Sequence, residues 1–122
     1  HGLSDTSFAY GKATVNKKVM KIDEQIAITV SITNTGKRIG SEIVQLYISD
    51  LKSSLPRPVK ELKGFSKIQL APGETQEVTF LIEALSFFND SRHEWVAEPG
   101  KFEAQIAASA TDIKSKVTFE LE

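Results

Sequence analysis

Paired carboxylates are the means of general acid–base hydrolysis, and five residues could supply them: Asp50, Glu61, Glu94, Glu98 and Asp112. All five stand at the ends of apolar runs or in turns. Carboxylates there are solvated, so they lack the shifted pKa that acid–base work needs, and nothing in their spacing pairs them. His1 and His93 are the only imidazoles and cysteine is absent, so a metal site would have to be completed by carboxylates. His93 lies between Arg92 and Glu94 in a polar stretch and reads as a surface residue. No serine sits in a strand–turn–helix elbow, and the glycines are scattered among turns, so neither a nucleophile nor a phosphate cradle is expected. The residues point to no catalytic group, no metal and no cofactor.

Two other groups could bind. Trp95, Phe87, Phe88 and Tyr47 could form an aromatic platform for sugar rings, or close the end of a core; a ring with a polar tip suits both, and Trp95 and Tyr47 carry the sugar-contact reading. The arm from Lys52 to Lys63 contains Pro56 and Pro58, which stiffen it and reduce the entropy lost on docking. Arg57 between the prolines can offer a two-pronged donor to a carboxylate, and with Lys60 and Glu61 it forms the expected docking set. The alternative is that these charges solvate an edge strand and discourage sheet-to-sheet pairing. Asn89-Asp90-Ser91 matches the glycosylation sequon, which matters only in a eukaryotic secretory route.

The elements that would hold these residues are strands. Between Gln25 and Asn34 the apolar residues Ile26, Ile28, Val30 and Ile32 occupy every second position, the period of a strand with one buried face. Asn34-Thr35-Gly36 offers residues that tolerate a left-handed turn, and Val44, Leu46 and Ile48 then share a face of a second strand. Joined by that turn, the two read as long antiparallel neighbours, a hairpin that needs a second sheet over Ile26 to Ile32 and Val44 to Ile48. Phe8 to Asn16 reads as a first edge strand and Val19 to Ile22 as a lead-in. Glu61 to Leu70 reads as a strand broken by Gly64, Ala71-Pro72-Gly73-Glu74 as a turn, and Thr75 to Ile82 as a strand burying Val78, Phe80 and Ile82. Ala84 to Asn89 suits a short helical turn, Asn89 to Arg92 a loop, and Trp95-Val96 a short strand before the turn Glu98-Pro99-Gly100. Phe102, Ala104, Ile106 and Ala108 alternate, and Thr111-Asp112 turns the chain into a last strand carrying Ile113, Val117, Phe119 and Leu121. Seven main strands with glycine- and proline-rich turns predict an all-β sandwich.

The totals agree. A chain of 122 residues with 40% hydrophobic content suits one domain that folds by itself. Fifteen basic and sixteen acidic residues are mixed along it for a net charge of -1, which argues against nucleic acid or an anionic membrane as partner. No apolar run is long enough to span a bilayer, and His1 to Thr6 lacks the features of a signal peptide.

An ordered series of motifs carries a resemblance. Asn34-Thr35-Gly36, Gly40, Val44-Gln45-Leu46-Tyr47, Arg57-Pro58, Lys60-Glu61-Leu62-Lys63-Gly64-Phe65 and Leu70-Ala71-Pro72-Gly73-Glu74 are followed by Leu85-Ser86-Phe87, Trp95-Val96, Glu98-Pro99-Gly100-Lys101-Phe102, Ala108-Ser109 and Asp112-Ile113. Together they closely resemble the fibronectin type III-like domain at the C-terminus of glycoside hydrolase family 3 enzymes, the β-glucosidases and β-xylosidases. His1-Gly2-Leu3-Ser4 and Phe8 resemble the joint that links this domain to its predecessor, with Asp5 where a tyrosine is usual. The resemblance implies a fibronectin type III/immunoglobulin-like β-sandwich of about seven strands, with residues 1–122 as one domain of a larger glycosidase and 1–7 left from the joint. It implies a non-catalytic role packing on the catalytic domains of the same polypeptide, shaping the substrate entrance or a dimer contact, in a periplasmic or secreted enzyme. A glycosidase needs two carboxyl groups roughly 5 Å apart for retention or about 6.5 to 9.5 Å for inversion; in the resembled family both lie in the preceding domains. A carbohydrate-binding module and a structural bead of an adhesion protein are the alternatives, because fold alone does not separate them.

Overall fold

In a computed structural model the chain forms two packed β-sheets; residues 7–21, 23–51, 60–83 and 100–121 are described. Nine strands follow in order: β1 (Phe8–Tyr10), β2 (Thr14–Val15), β3 (Val19–Met20), β4 (Gln25–Asn34), β5 (Gly40–Asp50), β6 (Lys60–Leu70), β7 (Thr75–Glu83), β8 (Gly100–Ser109) and β9 (Asp112–Leu121). In the first sheet β4 is central, with β7 along one edge and β1 and β2 sharing the other. The second sheet runs β3-β9-β8-β5-β6, antiparallel except for the pairing of β3 with β9.

The expected first edge strand, Phe8 to Asn16, is therefore two pieces. Gly11 continues the edge by donating its N–H to the Ser31 carbonyl at 2.8 Å. Ala13 then turns inward, buried, with its N–H on the Ser115 hydroxyl of the facing sheet at 2.8 Å. After Asn16 the chain crosses over, so that Val19 and Met20 pair with β9. One continuous segment thus closes an edge of both sheets.

The alternation read from the sequence sets the interior. Ile26, Ile28, Val30 and Ile32 of β4 and Val44, Leu46 and Ile48 of β5 are all buried in a single core with Val78, Phe80, Ile82, Phe102, Ile106, Phe119 and Leu121. β4 and β5 are consecutive but not paired; they belong to opposite sheets and bury their apolar faces in the same core. The stretch between them is a link from one sheet to the other, not a hairpin turn.

Asn34 explains that link, and not by the left-handed backbone the sequence suggested. Among the described residues the one positive φ is at Gly73, at 82°. Asn34 instead is fully buried and acts through hydrogen bonds. Its Nδ2 donates to the carbonyls of Arg38 at 2.9 Å and Leu70 at 2.8 Å, and its Oδ1 accepts from the Gly36 N–H at 2.8 Å. Its backbone exchanges bonds with the Ala71–Glu74 turn, donating to the Glu74 carbonyl and accepting from the Gly73 N–H. One side chain thereby ties β4, the link to β5, and the β6–β7 turn. That turn is closed a second time by the Glu74 carboxylate, which accepts the Ala71 N–H at 2.8 Å.

Gly64 does not break β6, which runs unbroken from Lys60 to Leu70. The glycine lies opposite Leu46 on the core side, where an added Cβ would sit 3.1 Å from the Phe80 ring. The irregularity is instead a bulge: Leu46 pairs with Gly64 but Tyr47 with Leu62, leaving Lys63 as the extra residue. A bulge reverses the in–out phase of everything beyond it.

The hydrogen-bond role of Asn34 makes a direct prediction. Asn34→Ala leaves two carbonyls and one N–H without their partner in a buried corner, and unfolding in urea should show a loss of about 2 to 4 kcal/mol. A loss under about 1 kcal/mol would contradict this role.

Candidate functional site

The bulge decides which way Lys60 and Glu61, two of the expected docking residues, point. Beyond Lys63, Leu62 stands opposite Tyr47 and Lys60 opposite Ser49 on the outer face, while Glu61 stands opposite the buried Ile48. Glu61 is bonded to Lys63 at 3.0 Å, and both side chains are largely buried. Lys60 curls over the outer face of β5 and β8: its Nζ donates to the Ala110 carbonyl at 2.6 Å and to Gln105 Oε1 at 3.4 Å. The same ammonium lies 4.8 Å from the centroid of the Tyr47 ring, a cation–π contact. Tyr47 donates its hydroxyl to Gln45 Oε1 at 2.6 Å, and Gln105, itself buried, donates to Glu103 Oε1 at 2.7 Å.

Lys60 and Tyr47, assigned to different roles in the sequence, thus meet in one network that pins the β8–β9 turn to the sheet. Arg57 and Trp95 lie outside the described residues, as do Phe87, Phe88, His1, His93, Glu94, Glu98, the sequon, and the helical turn, loop and short strand expected between 84 and 99. Asp112 is bonded to Lys114 at 3.2 Å, and the Asp50 side chain is not described. Among the described residues no cluster of histidine and carboxylate side chains could hold a metal ion.

A second contact was missed in the sequence. Tyr10 of β1 reaches across the open side of the sandwich and donates its hydroxyl to Glu42 Oε2 of β5 at 2.7 Å, while the Lys114 ammonium stands 5.6 Å from its ring. Burial, and then the bond to Glu42, push the Tyr10 phenol well above its ordinary value. The available signal was phase: Glu42 falls on the same alternate positions as Val44, Leu46 and Ile48. These contacts hold sheets together; they present no nucleophile and no acid–base pair.

A match to known proteins gives this arrangement its place. The family model of the fibronectin type III-like domain matches residues 42–110, from β5 to the β8–β9 turn. The chain belongs to the fibronectin type III-like domain family. It is an accessory domain of the kind carried by family 3 glycoside hydrolases. It is 53% identical to part of the β-glucosidase BoGH3A of Bacteroides ovatus, a match over 98% of this chain and 16% of that enzyme. It is 43% identical to part of a periplasmic β-glucosidase of Salmonella typhimurium, over 99% of this chain and again 16% of the relative. Among solved structures, a β-glucosidase from Erythrobacter marinus superimposes with a TM-score of 0.86 at 35% identity, covering all of this chain and 16% of that one. The fibronectin type III-like domain therefore spans about a sixth of the length of these relatives.

Two outcomes test the contacts. Lys60→Met keeps the stem but removes the charge; the amides at the β8–β9 turn should exchange faster, with a stability loss of about 1 to 2 kcal/mol, and unchanged exchange at Ala110 and Thr111 would refute the pinning role. Because the folded state holds the Tyr10 proton more tightly than the unfolded chain, the folded state binds more protons above about pH 10, and stability falls as pH rises there. Tyr10→Phe should flatten that alkaline fall in a series of urea titrations; an identical fall in both proteins would contradict it.

Proposed function

We infer that this domain packs on the catalytic domains of a longer family 3 glycoside hydrolase, a β-glucosidase, and stabilises them without taking part in the chemistry. The observation that carries the reading is one of length. Relatives named as β-glucosidases contain the whole of this chain as a sixth of their own, leaving five-sixths for the machinery that cleaves the sugar. The described carboxylates fit that division, since Glu61 and Asp112 are each spent on a lysine two residues away. Residues 1–122 form a single domain in this reading, with 1–7 as the joint to the catalytic part. The parent enzyme is periplasmic or secreted, a reading supported by the Salmonella relative.

The arm that carries Arg57 between Pro56 and Pro58 is the docking element, extended by Lys60 and Glu61 at its downstream end. The domain as a whole shapes the substrate entrance or supports a contact between two copies of the enzyme. Glu61 is bonded to Lys63 and Lys60 to the Ala110 carbonyl, so those two also hold β6 to its own sheet.

Thermal unfolding of the parent enzyme and of the 122-residue chain separates docking from internal stability. Arg57→Ala should lower the melting temperature of the parent enzyme and leave that of the chain unchanged. Equal shifts in both would sink the docking role of Arg57. Glu61→Ala serves as the contrast, since it breaks an internal ion pair and should lower both.

A further inference from the structure

We propose that the outer face of β5 and β6, centred on Phe65, Leu62 and Ile43, is the surface that a neighbouring domain of the same polypeptide covers; this rests on the accessory-domain reading above. Phe65 is 69% exposed, Leu62 50% and Ile43 46%, a concentration of large apolar side chains on one sheet face. Phe65 stands opposite Gln45, Leu62 opposite Tyr47 and Ile43 opposite Lys67. Adjacent and diagonal positions on two paired strands lie within reach of one another, so the three form one oblique strip.

The strip is built by the bulge. In an unbulged strand Leu62 would share the phase of Gly64, Ser66 and Ile68 and point to the core; the extra residue at Lys63 turns it outward beside Phe65. In the motif Lys60-Glu61-Leu62-Lys63-Gly64-Phe65 the fold accounts for four members. Lys60 pins the β8–β9 turn, Glu61 and Lys63 pair, and Gly64 makes room for the Phe80 ring. Leu62 and Phe65 are exposed and stand outside the core formed by the described residues.

Exposing them costs solubility, and exposed strips of this kind mark contacts with other surfaces. Among the described residues β6 ends its sheet, and the exposed Lys67 interrupts the apolar run and discourages edge-to-edge pairing with another copy. The occupant is accordingly a side-on apolar surface. It comes from the same polypeptide because relatives match this chain over 98% to 99% of its length while it makes up 16% of theirs. Leu81, 63% exposed on the outer face of the other sheet, stands with Thr79 and Thr75, whose hydroxyls bond to Thr29 and Thr33, so that face is polar around it.

Hydroxyl-radical footprinting, read residue by residue, compares the 122-residue chain with the parent enzyme. Labelling of Phe65, Leu62 and Ile43 should fall several-fold in the parent while labelling of Leu81 stays the same. Protection at Leu81 with full labelling at Phe65 would overturn the assignment of this face and leave the accessory reading standing. Equal labelling everywhere would remove both. Protection of Phe65 in the chain alone, rising with its concentration, would assign the strip to a second copy and overturn the proposal. As a check on folding, Phe65→Ser with Leu62→Ser should leave the melting temperature of the chain unchanged and lower that of the parent; a fall confined to the chain would contradict the proposal.

Discussion

The fold depends on one constraint: the apolar stripes of β4, Ile26 to Ile32, and of β5, Val44, Leu46 and Ile48, come from opposite sheets and must be buried together in the one core between them. β4 is the strand of its sheet paired along both edges, and β5 holds β6 and β8 in the other. Sandwiches pack by interdigitating alternate side chains, so the two stripes set the layer spacing that every other strand must match. Each fully buried residue of this size is worth about 1.5 to 3 kcal/mol, which makes the seam the largest local source of stability.

Consecutive strands on opposite sheets need a connection that crosses the end of the core without leaving backbone groups unpaired. Asn34 supplies it, bonding at once to the link, to the end of β6 and to the β6–β7 turn. The opposite edge is closed by the broken β1–β2–β3 segment and by Tyr10 reaching to Glu42. With the interior filled and its margins tied, the surfaces left to act are external. The bulge at Lys63 makes one of them apolar at the rim of the second sheet.

The periodic parts of this structure were legible in the sequence. Strand identity, the buried phase of β4, β5 and β7, that of β8 as far as Ile106, and the Pro72-Gly73 turn follow from period-two alternation and turn chemistry, whereas a register shift after Ile106 buries Ala107 in place of the expected Ala108. Pairing was not legible, because alternation says which face is buried but not which sheet the strand joins; hence the two stripes looked like a hairpin. The bulge was equally hidden. Gly64 announced an irregularity, but its cause is Phe80, a residue sixteen positions away, and the phase reversal falls on Lys63. Lys60 and Glu61 were found as a charged pair of interest, yet which of the two points outward is set by that same reversal. Asn34 and Glu42 could have been found as polar residues in phase with the core, since a buried polar side chain there must be bonded.

A domain of this kind contributes to a larger enzyme by being stable in its own right, and its seam should be the last part to open. Native-state hydrogen exchange on the 122-residue chain tests this most directly. The account requires the amides of Ile28 to Ile32 to exchange only through global unfolding, at a free energy on the order of 5 to 15 kcal/mol. If those amides exchanged as readily as the open edge of β6, the seam would not be what holds the two sheets together.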